Sequence, residues 1–303
     1  MNRLFIINPT AGGGIKGKRF LRLKNYALNT LGEFNHYFCQ DHQDMVARAQ
    51  IAAKTGIQQI IIWGGDGSIN AVVNSLIENG KLINPDCKLV VSPTGSGSDY
   101  YKTIYQNSNK HWYHTIDKFQ VKNVDIAKIE YADPKIPFRY FVNVTSIGLG
   151  ADVVAKREQT KSWVPRTLSY IVPSLLTLPK AHSTKYKLII DGETHSLDLM
   201  GLFVAKGTYA GGGMKLGSNA VIDDGQLDLC LLKKMNMVEM TLKMKKLYTD
   251  EHKTDPKIMK LKGKKIEVIT PIPVQVECDG ELHGATNCAF SVCDKVLPVC
   301  FPI

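Results

Sequence analysis

Three glycine-rich turns each follow an apolar run: "NPTAGGG" after "RLFII", "GGDGS" after "QIIIW" and "SPTGSGSD" after "KLVV". Glycine lets backbone N–H groups approach an anion closely, and a helix N-terminus adds partial positive charge. Three such turns on one edge of a sheet would form a phosphate cradle. One alone would say little, because a tight strand-to-helix turn needs glycine anyway; the ordered set is far more specific. Neither the full dinucleotide fingerprint nor the Walker loop fits: the bare spacing GxGxxG occurs in "GGGIKG" and is weak evidence alone, and GxxxxGK[ST] is absent. Asp66 sits inside the second turn. A carboxylate there would repel phosphate unless a metal ion intervenes, so the chemistry it suggests is Mg²⁺ held beside nucleotide phosphates. An Asx-type turn or a helix cap is the alternative use of that carboxylate.

The elements that must position these turns alternate along the first third of the chain. "RLFIIN", "FNHYFC", "QIIIW" and "KLVVSP" read as strands. "KRFLRLKNYALNTL", "DMVARAQIAAKTG" and "SINAVVNSLIENG" read as helices, the last stopping at Gly80. Strict alternation implies a parallel sheet covered by helices, with ligands bound beyond the carboxyl ends of its strands. After about Val121 the pattern becomes β-like, broken by turns such as Asp191-Gly192 and Asp224-Gly225. Two helical segments interrupt it, near "WVPRTLSYIVPSLLTL" and "MVEMTLKMKKLY". The expected fold is therefore α/β, with an N-terminal nucleotide-binding domain followed by a mainly antiparallel β domain.

Composition narrows the partners. Lys plus Arg exceed Asp plus Glu by 38 to 28, a formal charge of +10, which favours an acidic partner or an anionic membrane surface. The seven cysteines show no CxxC spacing and the histidines no HExxH, which argues against a disulfide framework or a zinc site and for reduced cytosolic thiols. The apolar run at the N-terminus is too short for a signal peptide. "YIVPSLLTL" is too short to span a bilayer and contains Pro173, so membrane contact would be peripheral.

Taken together, the motifs resemble those of the diacylglycerol kinase catalytic-domain family, which includes bacterial diacylglycerol kinases, YegS-like kinases, sphingosine kinases and ceramide kinases. "NPTAGGG", "GGDGSINAVVN", "PTGSGSDY", "FVNVTSIGLGADV", "GGGMKLGSNAVIDDGQLDL" and "ECDGE" follow the family's elements in order, along nearly the whole chain. The resemblance implies an α/β ATP-binding domain over residues 1–121 with about 296–303, and a β-sandwich lipid-substrate domain over residues 122–295. It implies an ATP- and Mg²⁺-dependent lipid kinase acting on diacylglycerol or a related lipid alcohol. The expected setting is cytoplasmic, at an anionic membrane surface and without nucleic acid; a homodimer is compatible with it.

The matching positions carry expected roles. Asn8, Gly12, Gly13, Gly14, Lys16, Cys39, Gly64, Gly65, Asp66, Gly67, Ser68, Asn70 and Ser96 would contact ATP. Asp99 would face the lipid headgroup, or cap the helix that begins at "DYYKT". Asp224, with the carbonyls of Val221 and Gln226, matches a second Mg²⁺ site; a plain Asp-Gly turn is its bland reading. Glu281 matches the general base, with Asp279 beside it, although "CDGE" is equally a turn signal. Cys39, Lys206, Ser98 and Ser218 depart from the family pattern; Lys206 stands where an Asn is usual. Other readings remain: a GGDG kinase of the NAD kinase or phosphofructokinase type, or a non-catalytic nucleotide- or lipid-binding module. The early position of the GGDG loop and the paired "DDGQLDL" and "CDGE" elements count against the first.

Overall fold

The computed structural model describes residues 2–11, 14–95, 97–105, 112–160, 163–164, 170–249 and 251–303. Gly12, Gly13 and Ser96, three of the expected nucleotide contacts, lie outside the described residues. The chain divides into two units, Met1–Asp125 with Asp294–Ile303, and Ile126–Cys293.

In the first unit β1 (Arg3–Ile7), α1 (Lys18–Leu31), β2 (Asn35–Phe38), α2 (His42–Lys54), β3 (Gln59–Trp63) and α3 (Asp66–Leu76) alternate as the periodicity requires. A short hairpin follows, β4 (Ile77–Glu78) and β5 (Lys81–Leu82), then β6 (Lys88–Val91) and α4 (Asp99–Tyr105). The helix expected to stop at Gly80 ends four residues earlier. Asn79 (φ 51°) and Gly80 (φ 75°) form the two-residue turn of that hairpin instead. Both residues take the left-handed backbone that Asn-Gly supplies at low cost, so the dipeptide that looked like a helix stop is a hairpin signal. β1 pairs in parallel with β2 and β3, and β3 with β6. The end of the chain adds a strand, with Val299 opposite Leu89 in parallel register. Phe5, Ile7, Ile61, Trp63, Val90 and Cys300 form the core of this sheet against Phe20, Leu23 and Ala27 of α1.

The chain enters the second unit inside β7 (Phe119–Tyr131), a continuous strand. No linker marks the division, which falls after Asp125 where the sequence pattern changes near residue 121. β8 (Arg139–Phe141), β9 (Val144–Gly148), α5 (Leu149–Thr160), α6 (Ile171–Thr177), β10 (Thr184–Ile190), β11 (Glu193–Ala205), β12 (Leu227–Lys233) and α7 (Met237–Met244) follow. β13 (Ile258–Gly263), β14 (Lys265–Ile269), β15 (Gln275–Cys278), β16 (Glu281–Ala285) and β17 (Cys288–Pro302) complete the chain. The pairings within this unit are antiparallel. β11 pairs with β10 along its first half and with β9 and β12 along its second. Its alternate residues serve two cores: Leu202 and Val204 join one, Phe203 and Ala205 the other. β12 divides in the same way, with Leu229 and Leu231 against Cys230 and Leu232. A strand apolar on both faces is the signature of a layered β structure. The fold is thus α/β followed by a β-sandwich-like unit.

Candidate active site

β3 ends at Trp63, and Gly64 and Gly65 carry the chain into α3. Neither position has room for a side chain. A Cβ on Gly64 would stand 2.3 Å from Ser68 Cβ, and one on Gly65 3.0 Å from the Cα of Gly95. In return, a Cβ on Gly95 would lie 2.6 Å from the Cα of Gly65. The turns after β3 and β6 therefore pack glycine on glycine. Thr94, which sequence reasoning missed, fastens them: its hydroxyl donates to the Gly64 carbonyl at 2.7 Å.

Asp66 opens α3 but its carboxylate serves another helix. Oδ2 accepts the N–H of Asp99 at 3.2 Å and Oδ1 that of Tyr100 at 3.0 Å. The cap reading is realised, for α4 rather than α3. The same carboxylate also faces a small cradle over Gly97. A Cβ there would meet Asp99 Oδ2 at 2.9 Å and Asp66 Oδ2 at 3.5 Å. Two carboxylate oxygens flanking one space kept open by glycine are a hard-oxygen donor set that fits Mg²⁺. Asp99 is buried, and Lys102 Nζ lies 3.1 Å from its Oδ1.

Asn8, Cys39 and Ser68 come together. They line a pocket of about 190 Å³ in the first unit with Pro9, Thr10, Gln40, Asp41, His42 and Met45. Asn8 shapes its own loop, because its Oδ1 accepts the N–H and hydroxyl of Thr10 at 3.0 and 2.8 Å. Burial pushes the Cys39 thiol up to about 11, so it stays neutral and apolar. Asp41 caps α2 by accepting the N–H of Asp44 at 2.8 Å. Gly14 has φ 80°, so the first loop does need glycine there. Asn70 is buried in α3, Gly67 lies in its first turn, and Lys16 is exposed.

The other expected catalytic residues belong to the second unit. Asp279 (φ 47°) and Gly280 (φ 94°) are the two-residue turn between β15 and β16. The Asp279 carboxylate accepts three backbone N–H groups, of Val142 at 3.1 Å and of Asn143 and Val144 at 3.2 Å. Its oxygens pin the segment leading into β9, which is a structural duty. Glu281 starts β16 half-exposed, with Arg139 Nη2 2.8 Å from its Oε2. Glu277, which the sequence did not flag, accepts the Ser146 hydroxyl and the Gly280 N–H. Burial first, with help from the Asp279 charge and against those two hydrogen bonds, pushes its carboxyl up to about 7.

Residues 2–129 match the model of the diacylglycerol kinase catalytic domain. Residues 144–301 match that of the YegS C-terminal NAD kinase beta sandwich-like domain. The chain belongs to the diacylglycerol kinase family. Among its relatives is the diacylglycerol kinase of Staphylococcus haemolyticus (strain JCSC1435), 26% identical over 299 residues, covering 98% of this chain and 87% of the relative. That of Staphylococcus aureus (strain JH9) is also 26% identical, covering 98% of this chain and 91% of the relative. A solved structure from Bacillus anthracis str. Sterne superposes with a TM-score of 0.78 at 24% identity, covering 99% of this chain and 97% of that one. A second from the same organism, described as a diacylglycerol kinase, gives 0.72 at 21% identity, covering 99% and 96%.

The turn before β12 holds Asp224 and Gln226. Asp224 Oδ1 and the Gln226 carbonyl, two of the three groups expected to hold a second Mg²⁺, both accept from Lys206 Nζ at 2.8 Å. Val221 lies exposed in the turn before them. Partial burial raises the Asp224 carboxyl, but the Lys206 hydrogen bond and charge, the Gln226 N–H and Lys262 outweigh it and hold the group below its ordinary range. Oxygens already engaged by an ammonium do not fit a resident divalent ion.

Proposed function

We propose that the protein is an ATP-dependent, Mg²⁺-requiring lipid kinase that phosphorylates a hydroxyl of a lipid alcohol, diacylglycerol first among the candidates. The observation that carries this reading is the pairing of Asp66 and Asp99 over Gly97, beside glycine turns too tight for any side chain, in a chain related to diacylglycerol kinases along 98% of its length. Asn8, Cys39 and Ser68 would bind the nucleotide in the pocket they line. Asp66 and Asp99 would hold Mg²⁺, which supplies neutralisation of phosphate charge when bound. Lys102 beside Asp99 fixes that carboxylate.

Phosphoryl transfer needs position and charge balance more than covalent chemistry from the protein. The lipid hydroxyl oxygen forms a bond to the γ-phosphorus, the bond from that phosphorus to the β,γ-bridging oxygen breaks, and ADP leaves. Glu281 accepts the hydroxyl proton, with Arg139 Nη2 held 2.8 Å from one of its oxygens.

Among the described residues no helix is long and apolar enough to cross a membrane. The lipid would therefore be met at a surface. α7 supports such docking: Val238 is 66% and Leu242 71% exposed, and Lys245 and Lys246 follow the helix. Met240 of the same helix is buried in the core.

The deciding assay offers labelled ATP, with and without Mg²⁺, to diacylglycerol, ceramide, sphingosine, phosphatidylglycerol, a polyprenol and NAD. Transfer to one lipid, dependent on Mg²⁺, is expected. Transfer to NAD, or ATP binding without transfer to any acceptor, would overturn the reading.

A further inference from the structure

Lys206 follows directly on β11, its backbone N–H held by the Asn143 carbonyl at 2.8 Å. Its side chain runs inward, and only 1% of it is exposed. An ammonium this deep is sustained only where oxygens surround it. Here Asp224 Oδ1 and the Gln226 carbonyl each receive a hydrogen bond of 2.8 Å from it. Asp224 Oδ1 also accepts the Gln226 N–H at 3.1 Å, which closes the turn around the ammonium. A second lysine completes the group. Lys262 Nζ stands 3.4 Å from Asp224 Oδ2 and 3.5 Å from Asp228 Oδ2, and donates to the Asn219 carbonyl at 3.1 Å.

A carboxylate oxygen and a main-chain carbonyl closing on one point are the donors a hard divalent cation selects. In this chain they close on nitrogen. The balance of charge agrees with the geometry. Asp224 and Asp228 contribute two negative charges, and Lys206 and Lys262 two positive ones. A divalent ion added here would leave the cluster with an excess of two positive charges, close to a buried ammonium. To make room, Lys206 would have to swing a packed stem out of the interior, while its backbone stays tied to Asn143.

We propose that Lys206 is a built-in substitute for a divalent cation: its ammonium organises the turn opening β12, and this unit folds without a metal there. The substitution has reach. Asn143, whose carbonyl holds Lys206, donates its own N–H to Asp279 Oδ1 at 3.2 Å. The Lys206 turn and the Asp279 turn are thus tied to opposite sides of one peptide segment. A cation that cannot dissociate keeps that segment set whatever the Mg²⁺ concentration. The inference concerns the fold of the β unit and holds whether or not the chain transfers phosphate to a lipid.

The test compares nucleotide-free full-length protein with Lys206→Asn and Lys206→Met, melted in EDTA and in excess Mg²⁺. Both variants are expected to melt below the wild type in EDTA. Mg²⁺ should restore Lys206→Asn, whose side-chain oxygen completes a metal site, and should not restore Lys206→Met. Equilibrium dialysis should show one more Mn²⁺ bound by Lys206→Asn than by the wild type. For a Lys206→Asn protein that folds, failure of Mg²⁺ to raise its melting temperature, or Mn²⁺ binding equal to that of the wild type, would overturn the proposal. Should Lys206→Asn not fold in either buffer, dialysis of the wild type against Asp224→Asn decides alone. Loss of a bound Mn²⁺ on that substitution would place a metal in the wild-type turn and sink the idea; unchanged Mn²⁺ binding supports it.

Discussion

Asp66 and Tyr100 lie on different helices and are joined at 3.0 Å, the carboxylate of the first accepting the backbone N–H of the second. A motif residue expected to hold metal is also the N-terminal cap of the next helix. One carboxylate with two duties makes a sharp expectation. Asp66→Asn keeps one acceptor oxygen and loses the charge. Losing one of the two oxygens that accept from Asp99 and Tyr100 should cost about 1 kcal/mol of stability. The lost charge should lower kcat by roughly 10²-fold or more. Melting temperature and kcat at saturating Mg²⁺ measure the two separately, and a normal rate would remove Asp66 from the site.

Glu281 and Arg139 are 142 residues apart and 2.8 Å from each other. Glu281→Gln should reduce kcat by about 10²–10⁴, the usual worth of a general base. The KM for lipid should move little. Arg139→Met should give a smaller loss of kcat with the fold retained, because the base loses its orientation and not its chemistry. Equal loss in both variants would mean that the pair acts through the structure alone.

Asp279 should behave as a stability residue. Asp279→Ala leaves three buried N–H groups without their acceptor, each costing about 1–3 kcal/mol. Asp279→Asn keeps an acceptor and tolerates the positive φ of 47°, so it should fold nearly normally. Urea unfolding of the two variants checks the order. An Asp279→Ala protein as stable as the wild type would contradict the assignment.

The sequence revealed what is local and concealed what is distant. Strand, glycine turn and helix follow one another within about ten residues, so the phosphate-type turns and the parallel sheet could be read directly. α5 was missed because it follows β9 directly at Gly148 (φ 77°), a residue that reads as a turn. Gly80 was misread because the same residue type stops helices and turns hairpins, and only the pairing of Ile77 with Leu82 separates the two. The ammonium that occupies the Asp224 turn was hidden for a physical reason. Asp224 and Gln226 are close in sequence, but the lysine that fills them comes from the end of β11, eighteen residues before Asp224. Glu277 and Ser146 are separated by 131 residues, so nothing in the sequence pointed to that carboxyl.

Glu277 makes stability depend on pH in a direction opposite to that of a salt-bridged carboxylate. Its folded value is about 7 against an ordinary 4.5, with burial the largest cause. The folded protein therefore binds this proton more tightly than the unfolded chain does. The stabilisation is fully present below pH 4.5 and is lost as pH rises through about 7. Its size is roughly 3 kcal/mol. Glu277→Gln, neutral throughout, should remove that fall from a plot of unfolding free energy against pH. Asp228 and Asp152, also raised by burial, would leave a smaller slope behind. An unaltered curve would assign the dependence to other groups.

The membrane expectation rests on α7 and on the excess of positive charge. Met237, Val238 and Leu242 are exposed while Met240 of the same helix is buried, so the helix shows solvent an apolar face that its own core does not use. Trp163, 64% exposed, offers a second apolar contact. Basic residues near an anionic leaflet contribute about 1 kcal/mol each, screened over roughly 8–10 Å at physiological salt. Insertion of a few apolar side chains adds to this without making the contact permanent. Binding to phosphatidylglycerol-rich vesicles should rise with anionic lipid content and fall with added salt. Leu242→Asp and Val238→Asp should weaken it further at every salt concentration, with the melting temperature unchanged because neither residue is in the core. Those variants should also lose activity on lipid presented in vesicles and keep it on lipid dispersed in detergent, since docking and not chemistry is affected. Sedimentation that ignores salt, anionic lipid and both substitutions would remove α7 from the membrane and leave the charge of +10 without this use.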